Sequence, residues 1–163
     1  MNKTFKGILL TKDGIANKQM TEERIINILL VEDDEVDVMN VKRAFKKYKI
    51  TNPLFVAGNG IEALDMLRPC GDKPSTVPRD RRLVLLDLNM PKMNGIECLH
   101  AIREDPELRR TPVIVLTTSD EDKDRIEAYD LNVAGYILKP VTFVNFAEVM
   151  VALNKYWALC EMP

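Results

Sequence analysis

The chain has 163 residues, a length that suits one domain and allows an open α/β sheet to bury a sizeable core. Its 23 basic and 25 acidic residues leave a formal net charge of -2, which gives no reason to expect nucleic-acid or membrane binding. No apolar run reaches membrane-spanning length. The three cysteines have no CxxC spacing, which predicts free thiols in a cytoplasmic protein and no cysteine metal site.

The first predicted strand lies at residues 27–31, where NILLV is a continuous apolar run typical of a strand buried on both faces. Residues 1–24 before it lack sustained periodicity, and we assign them as an N-terminal extension of unknown role. We interpret residues 25–163 as a single domain with a short C-terminal tail. After the acidic run EDDEVD at 32–37, apolar residues recur at spacings of three and four, which predicts a helix.

The same alternation of strand and helix repeats along the rest of the chain. Further strands are predicted at 54–57 (LFVA), 83–87 (LVLLD), 113–117 (VIVLT) and 135–138 (GYIL). A helical pattern follows each of them, with Ser119 or Asp120 expected to cap the fourth helix and Thr142 the fifth. Five strands alternating with five helices predict a doubly wound parallel sheet covered on both faces. The proline-rich stretch 69–82 predicts a loop of unusual length.

Polar side chains stand where the predicted strands end. Glu32 and Asp33 follow the first strand, Asp87 ends the third, Thr117 ends the fourth and Lys139 follows the fifth. Because all carboxyl ends of a parallel sheet meet at one edge, and ligands bind there, we expect these side chains to form one site.

The acids of this set predict a magnesium site. Unit charges about 4 Å apart repel by roughly 1 kcal/mol in water and by more at lower dielectric, and a bound dication relieves that repulsion. Mg2+ prefers oxygen ligands and retains several waters. We expect Asp33 and Asp87 as direct ligands, Glu32 acting through a metal-bound water, and the main-chain carbonyl of Asn89. The remaining acids of the run suit the cap and dipole of the helix start: Asp34, Glu35 and Asp37.

Asp87 is also a candidate nucleophile. A carboxylate beside Mg2+ can attack phosphorus and form an aspartyl phosphate. The Thr117 hydroxyl and the Lys139 ammonium suit the phosphoryl oxygens, because such catalysis needs mainly positioning and charge neutralisation. A phosphatase of the haloacid dehalogenase type is the alternative. It would require an aspartate where Asn89 stands, and it would place its nucleophile on the first strand.

The ordered set VEDD, LLDLNMPKMNG, VLTTS and YILKP resembles the receiver domain of two-component response regulators, over about residues 26 to 157. The resemblance implies a flavodoxin-like sheet of strand order 2-1-3-4-5. It also implies that Asp87 accepts a phosphoryl group from a phosphohistidine, that Thr117 and Tyr136 form a switch pair, and that Lys139 contacts the phosphate from a cis bond to Pro140. Glu32 departs from the family pattern, since many receivers have aspartate there.

A narrower resemblance is to the small response regulators that partner bacterial phytochromes. It is carried by the loop 69–82, the run DPELRRTPVIVLTTSDEDKD, the segment KPVTF and the ending YWALCEMP. It implies a phytochrome-like histidine kinase as partner. Because few residues follow the last helix, we expect a stand-alone regulator that signals by protein contact and is no enzyme beyond its own phosphorylation and dephosphorylation. A phosphorelay intermediate, a phosphate sink and a receiver that works without phosphorylation are the alternatives.

The last helix has more apolar residues than one inward stripe needs. Such a stripe accounts for Phe143, Phe146, Met150 and Leu153. The surplus at the final turns predicts a homodimer through the fourth helix, the fifth strand and the last helix, and it comprises Tyr156, Trp157, Leu159 and Met162. The alternative is that these residues pack on their own domain.

Overall fold

The computed structural model describes residues 25–162, so the predicted N-terminal extension lies outside the described residues. Within this range none of the helices is long and apolar enough to cross a membrane. Strands and helices alternate strictly, in the order β1 (Asn27–Val31), α1 (Glu35–Lys47), β2 (Leu54–Ala57), α2 (Gly60–Leu67), β3 (Arg82–Leu86), α3 (Gly95–Glu104), β4 (Val113–Thr117), α4 (Asp122–Asp130), β5 (Gly135–Leu138) and α5 (Phe143–Leu159).

The five strands form one parallel sheet in the order β2-β1-β3-β4-β5, which confirms the predicted architecture. Val31 at the end of β1 pairs with Ala57 of β2 and Leu86 of β3. Thr117 at the end of β4 pairs with Leu138 of β5. This register aligns the carboxyl ends of β1, β3, β4 and β5 along one side of the molecule.

Each strand contributes to two hydrophobic cores, because successive side chains point to opposite faces of the sheet. On one face Leu29 and Leu86 pack with α2 and α3. On the other face Leu30 and Leu85 pack with α1 and α5. Burial of each such side chain stabilises the fold by roughly 1.5–3 kcal/mol. The continuous apolar runs in the sequence therefore reflect burial on both faces.

Side-chain caps fix the start of four of the five described helices, α1, α2, α3 and α5. The Asp34 carboxylate caps α1 by accepting hydrogen bonds from the amides of Val36 and Asp37. The predicted Thr142 cap of α5 is confirmed, since its hydroxyl accepts from the Asn145 amide at 3.3 Å. These caps satisfy amides that a helix start would otherwise leave unpaired.

The predicted cap of α4 is wrong. The helix begins at Asp122, and Glu121 occupies the cap position without a side-chain hydrogen bond. The Ser119 hydroxyl donates instead to the Asp124 carboxylate at 2.6 Å, so it contacts the first turn from the side. The structure gives Asp120 no capping role, because the chain enters the helix one residue later than the sequence suggested.

The long loop between α2 and β3 is held by Arg82, whose side chain is buried at the start of β3. Its guanidinium donates hydrogen bonds to the carbonyls of Leu67, Val77 and Pro78 and to the hydroxyl of Ser75. These acceptors satisfy a charged group that would be costly to bury unpaired. Val77 fills the core beneath the loop, which explains how a connection of this length stays ordered.

The final helix divides its apolar residues between core and surface. Trp157 is 8% exposed and packs in the core of its own domain. For this residue the alternative, packing within the domain, holds in place of the predicted dimer contact. Met162 is half-buried against the same core. Tyr156 and Leu159 are 60% and 77% exposed, so only these two of the surplus residues are available at the surface.

Candidate functional site

The carboxyl edge of the sheet brings the predicted acids together. Glu32, Asp33 and Asp87 each present a carboxylate oxygen, and these oxygens lie within 4.8 Å of one another. Glu32 and Asp87 are buried, whereas Asp33 is exposed. Three hard oxygen donors at this spacing, one of them open to solvent, fit a hydrated divalent cation.

The Asp87 side chain is oriented by the backbone around it. One carboxylate oxygen, Oδ1, accepts hydrogen bonds from the amides of Leu88 (2.8 Å) and Asn89 (3.4 Å). The Asp87 amide donates to the Val31 carbonyl at 3.0 Å, which ties the residue to the end of β1. The second oxygen, Oδ2, lies 3.4 Å from the Lys139 ammonium. Asp87 therefore has one oxygen fixed by its own loop and the other facing the charged groups of the site.

Gly95 allows α3 to begin directly against this loop. A Cβ at this position would lie 2.2 Å from the Asp87 carbonyl oxygen and 2.7 Å from the Leu88 Cα. The Gly95 amide donates to the Leu88 carbonyl at 3.0 Å. We did not predict a role for Gly95 from the sequence, although its place at the end of LLDLNMPKMNG, just before a predicted helix, was the available signal.

Lys139 extends into the acids and is almost completely buried. Its Nζ lies 2.5 Å from Glu32 Oε2 and 2.7 Å from Asp37 Oδ2. Burial would lower the pKa of Lys139, but the hydrogen bonds to Asp37 and Glu32 and the charge of Asp87 outweigh it and hold the pKa above its ordinary value. Lys139 is thus a permanent cation at the centre of the site.

Burial raises the pKa of Glu32, and the Lys139 ammonium and the Asp34 amide partly offset this effect. The other carboxylate oxygen of Glu32, Oε1, accepts from the Asp34 amide at 3.0 Å. Both oxygens of Glu32 are therefore occupied by hydrogen bonds within the protein.

The backbone at Lys139 differs from the expectation. The family resemblance implied a cis bond to Pro140, yet none of the peptide bonds among residues 25–162 is cis. The Lys139 amide donates to the Thr117 carbonyl at 2.8 Å, which continues the β4–β5 pairing beyond the strand. This pairing directs the long side chain toward the acids from a trans backbone.

The predicted switch residues Thr117 and Tyr136 are not hydrogen-bonded to each other, but both are hydrogen-bonded to the main chain of Ser119. The buried Thr117 hydroxyl accepts from the Ser119 amide at 3.2 Å. The Tyr136 hydroxyl donates to the Ser119 carbonyl at 3.0 Å. Ser119 therefore connects the two residues, a role that we did not predict because its position favoured a helix cap.

Asp37 is the third residue whose role the sequence pattern did not reveal, since we attributed its charge to the helix dipole. It is half-buried and pairs with Lys139. Side chains in a helix lean toward its N-terminus, so Asp37 on the first turn of α1 leans back over the end of β1. That geometry was the available signal.

Comparison with known proteins agrees with this site. Residues 28–150 match the family model described as the response regulator receiver domain. The chain therefore belongs to the receiver domain family of response regulators, which are signalling proteins and not conventional enzymes. This assignment does not favour the haloacid dehalogenase alternative.

The chain is similar to response regulators over most of its length. It is 38% identical over 130 residues to the probable methanogenesis regulatory protein FilR2 of Methanothrix harundinacea, covering 80% of this chain and 82% of that protein. It is 36% identical over 130 residues to the response regulator Rcp1 of Synechocystis, covering 80% and 87%.

Among solved structures, the phosphorylated cyanobacterial phytochrome response regulator RcpA superposes with a TM-score of 0.76 at 33% identity, covering 85% of this chain and 99% of that one. The Mn2+-bound form of Rcp1 superposes with a TM-score of 0.73 at 35% identity, covering 83% and 97%. The chain is thus similar to stand-alone phytochrome response regulators, and the acidic cluster lies in a fold whose relative binds a divalent metal.

Proposed function

We propose that the protein accepts a phosphoryl group on Asp87 from a histidine kinase and signals through protein contact. The observation that carries the proposal is the asymmetry of the Asp87 carboxylate. Oδ1 is fixed by the amides of its own loop, and Oδ2 faces the Lys139 ammonium at 3.4 Å beside the acidic cluster. A nucleophile held in this way needs little reorganisation before attack.

In the reaction, Asp87 Oδ2 forms a bond to the phosphorus of the phosphohistidine, and the phosphorus–nitrogen bond breaks with its electron pair remaining on the imidazole. The Lys139 ammonium neutralises charge on one phosphoryl oxygen, and the Thr117 hydroxyl donates to another. Hydrolysis of the aspartyl phosphate later restores the carboxylate. The protein acts on itself alone, so it is not an enzyme toward other substrates.

The cation that we assign to the acidic cluster is Mg2+. Asp33 and Asp87 would hold it directly, Glu32 through a bound water, and the Asn89 carbonyl would complete the protein ligands. The cation supplies positive charge that offsets the repulsion between the carboxylates and the incoming phosphoryl group.

The partner that we propose is a phytochrome-like histidine kinase. Support comes from the relatives, several of which are bacteriophytochrome or cyanobacterial phytochrome response regulators. A role as relay intermediate or phosphate sink uses the same Asp87 chemistry and differs only in the downstream partner.

We place the protein in the cytoplasm, with residues 25–163 as one receiver domain. In that compartment its free thiols stay reduced: Cys70, Cys98 and Cys160.

A second copy of the chain is the partner that we propose for the surface of α4, β5 and α5. Six large apolar side chains on these elements are exposed: Ile126, Tyr129, Leu138, Val144, Tyr156 and Leu159. Leu138 belongs to β5, which is an edge strand of the sheet. Aromatic residues are enriched at the cores of such interfaces.

The direct test of phosphorylation is incubation with acetyl phosphate and Mg2+ followed by intact mass measurement. We expect a phosphoryl mass increment that disappears in Asp87→Asn and after removal of Mg2+ by a chelator. Asp72→Asn is the matched control, because Asp72 is an exposed residue of the α2–β3 loop, and it should label like the parent. Equal labelling of Asp87→Asn would disprove the assignment.

A further inference from the structure

Lys139 is shared between three carboxylates, and the nearest two are not the predicted phosphorylation site. Nζ lies 2.5 Å from Glu32 and 2.7 Å from Asp37, but 3.4 Å from Asp87. A lysine ammonium has three donors and no acceptor. Two of the three are therefore committed to residues other than Asp87 in the structure.

A phosphoryl group on Asp87 would add strong acceptor oxygens beside this ammonium. The Lys139 side chain is only 7% exposed, so water cannot readily supply further partners. To bring its third donor within hydrogen-bond distance of a phosphoryl oxygen on Asp87, Nζ must move from its position 3.4 Å from Asp87 Oδ2, and this movement lengthens at least one of the two existing hydrogen bonds.

The structure distinguishes the two carboxylates. Glu32 is 3% exposed and the Asp34 amide holds only its Oε1, so loss of Lys139 would leave Oε2 of a buried carboxylate without the ammonium that neutralises it. The Asp37 side chain is 30% exposed and can turn into water from the first turn of α1. Asp37 is therefore the partner that Lys139 gives up.

We propose that Asp37 is a positioning residue that holds Lys139 in the unphosphorylated protein and competes with the phosphoryl group for it. The inference rests on the proposed phosphorylation of Asp87. It has two consequences. Asp37 lowers the affinity of the site for a phosphoryl group. Phosphorylation also releases the N-terminal turn of α1 from Lys139, the residue that follows β5, so that the surface of α1 differs between the two states of Asp87.

The test compares Asp37→Asn with Glu35→Gln by calorimetric titration with beryllofluoride in the presence of Mg2+. Both variants remove one negative charge from the first turn of α1, and only Asp37 contacts Lys139, whereas Glu35 is exposed to solvent. We expect Asp37→Asn to bind beryllofluoride about three- to tenfold more tightly than the parent, the effect of losing one partly exposed charged hydrogen bond. Glu35→Gln should bind like the parent, and Asp37→Glu should restore parental affinity.

Equal tightening by Asp37→Asn and Glu35→Gln would show a general charge effect and overturn the proposal, and so would unchanged or weaker binding by Asp37→Asn. A second measurement requires no variant. The carboxyl carbon-13 resonance of Asp37 should shift when beryllofluoride binds the parent protein, and that of Glu35 should not. An unshifted Asp37 resonance in the saturated complex would contradict release.

These outcomes are separate from failure of the proposed function. If Asp87 is not the acceptor, Asp87→Asn will bind beryllofluoride as the parent does, whatever happens at Asp37. If Asp87 is the acceptor and Asp37 is a bystander, Asp87→Asn will abolish binding while Asp37→Asn leaves it unchanged.

Discussion

The main-chain amide of Ser119 donates to the Thr117 hydroxyl at 3.2 Å, at the point where β4 ends and the loop to α4 begins. Through its carbonyl, Ser119 also accepts the hydrogen bond of Tyr136 at 3.0 Å. A movement of Thr117 toward Asp87 would therefore free the Ser119 amide and disturb the contact with Tyr136. This shared residue gives a physical basis for coupling between the two predicted switch residues.

We predict that Thr117→Ala still binds a phosphoryl analogue but loses most of the response of Tyr136, because the hydroxyl that connects the site to Ser119 is absent. The measurement is the ring resonance of Tyr136 with and without beryllofluoride. Thr118→Ala is the matched control, since Thr118 is the exposed neighbour of Thr117, and it should respond fully. A full Tyr136 response in Thr117→Ala would refute the coupling.

Asp33→Asn should weaken Mg2+ binding by at least about tenfold, because it removes a charged oxygen ligand from the cluster of three carboxylates. Isothermal titration with MgCl2 gives the affinity directly. Asp34→Asn serves as control: Asp34 is the adjacent acid, and asparagine preserves its capping of α1. The metal assignment fails if the two variants bind Mg2+ equally well.

Gly95→Ala should lower the free energy of unfolding by about 1–3 kcal/mol, because its Cβ would lie 2.2 Å from the Asp87 carbonyl oxygen and the backbone must shift to accommodate it. Urea denaturation measures the change. In Gly135→Ala the nearest atom to the new Cβ is 3.8 Å away, at Ile114, so this variant should be tolerated. Equal stabilities of both variants would show that α3 does not constrain the Asp87 loop.

Replacement of Tyr156 and Leu159 together by serine should convert the proposed dimer to a monomer in light scattering and leave the fold intact, because both side chains are exposed. Val36→Ser removes a residue of similar exposure from α1, outside the proposed interface, and should leave the mass unchanged. Trp157→Ala is unsuitable for this purpose, since loss of that core side chain would cost about 3–5 kcal/mol. A monomeric parent, with and without beryllofluoride, would exclude the dimer.

The strands, the helices and the site residues at the strand ends could be predicted from the sequence. They depend on local pattern and on the rule that the carboxyl ends of parallel strands lie at one edge of the sheet. The positions of Glu32, Asp87 and Lys139 followed from the ends of three apolar runs, and the structure brings these residues into contact. The β3 boundary shifted by one residue, which leaves Asp87 just outside the strand. This shift does not alter the site, because the strand end still fixes where the side chain emerges.

Features that depend on pairing between distant segments could not be read from pattern. Asp37 contacts Lys139 across 102 positions of sequence, and its acid had a sufficient local explanation at a helix start. Ser119 likewise had a local interpretation as a cap, which its contact with Tyr136 replaces. Trp157 counted among the surplus beyond the inward stripe, and only packing shows that its own domain has room for the ring.

Phosphorylation of Asp87 is tested most directly by trapping the acyl phosphate. The protein is incubated with acetyl phosphate and Mg2+, reduced with borohydride, digested and mapped by mass spectrometry, so that a phosphorylated aspartate is read as homoserine at its own position. We expect homoserine at position 87 alone, at a level that falls to background without Mg2+. Homoserine at another aspartate, or an unmodified position 87 in protein that carries the phosphoryl mass increment, would contradict it.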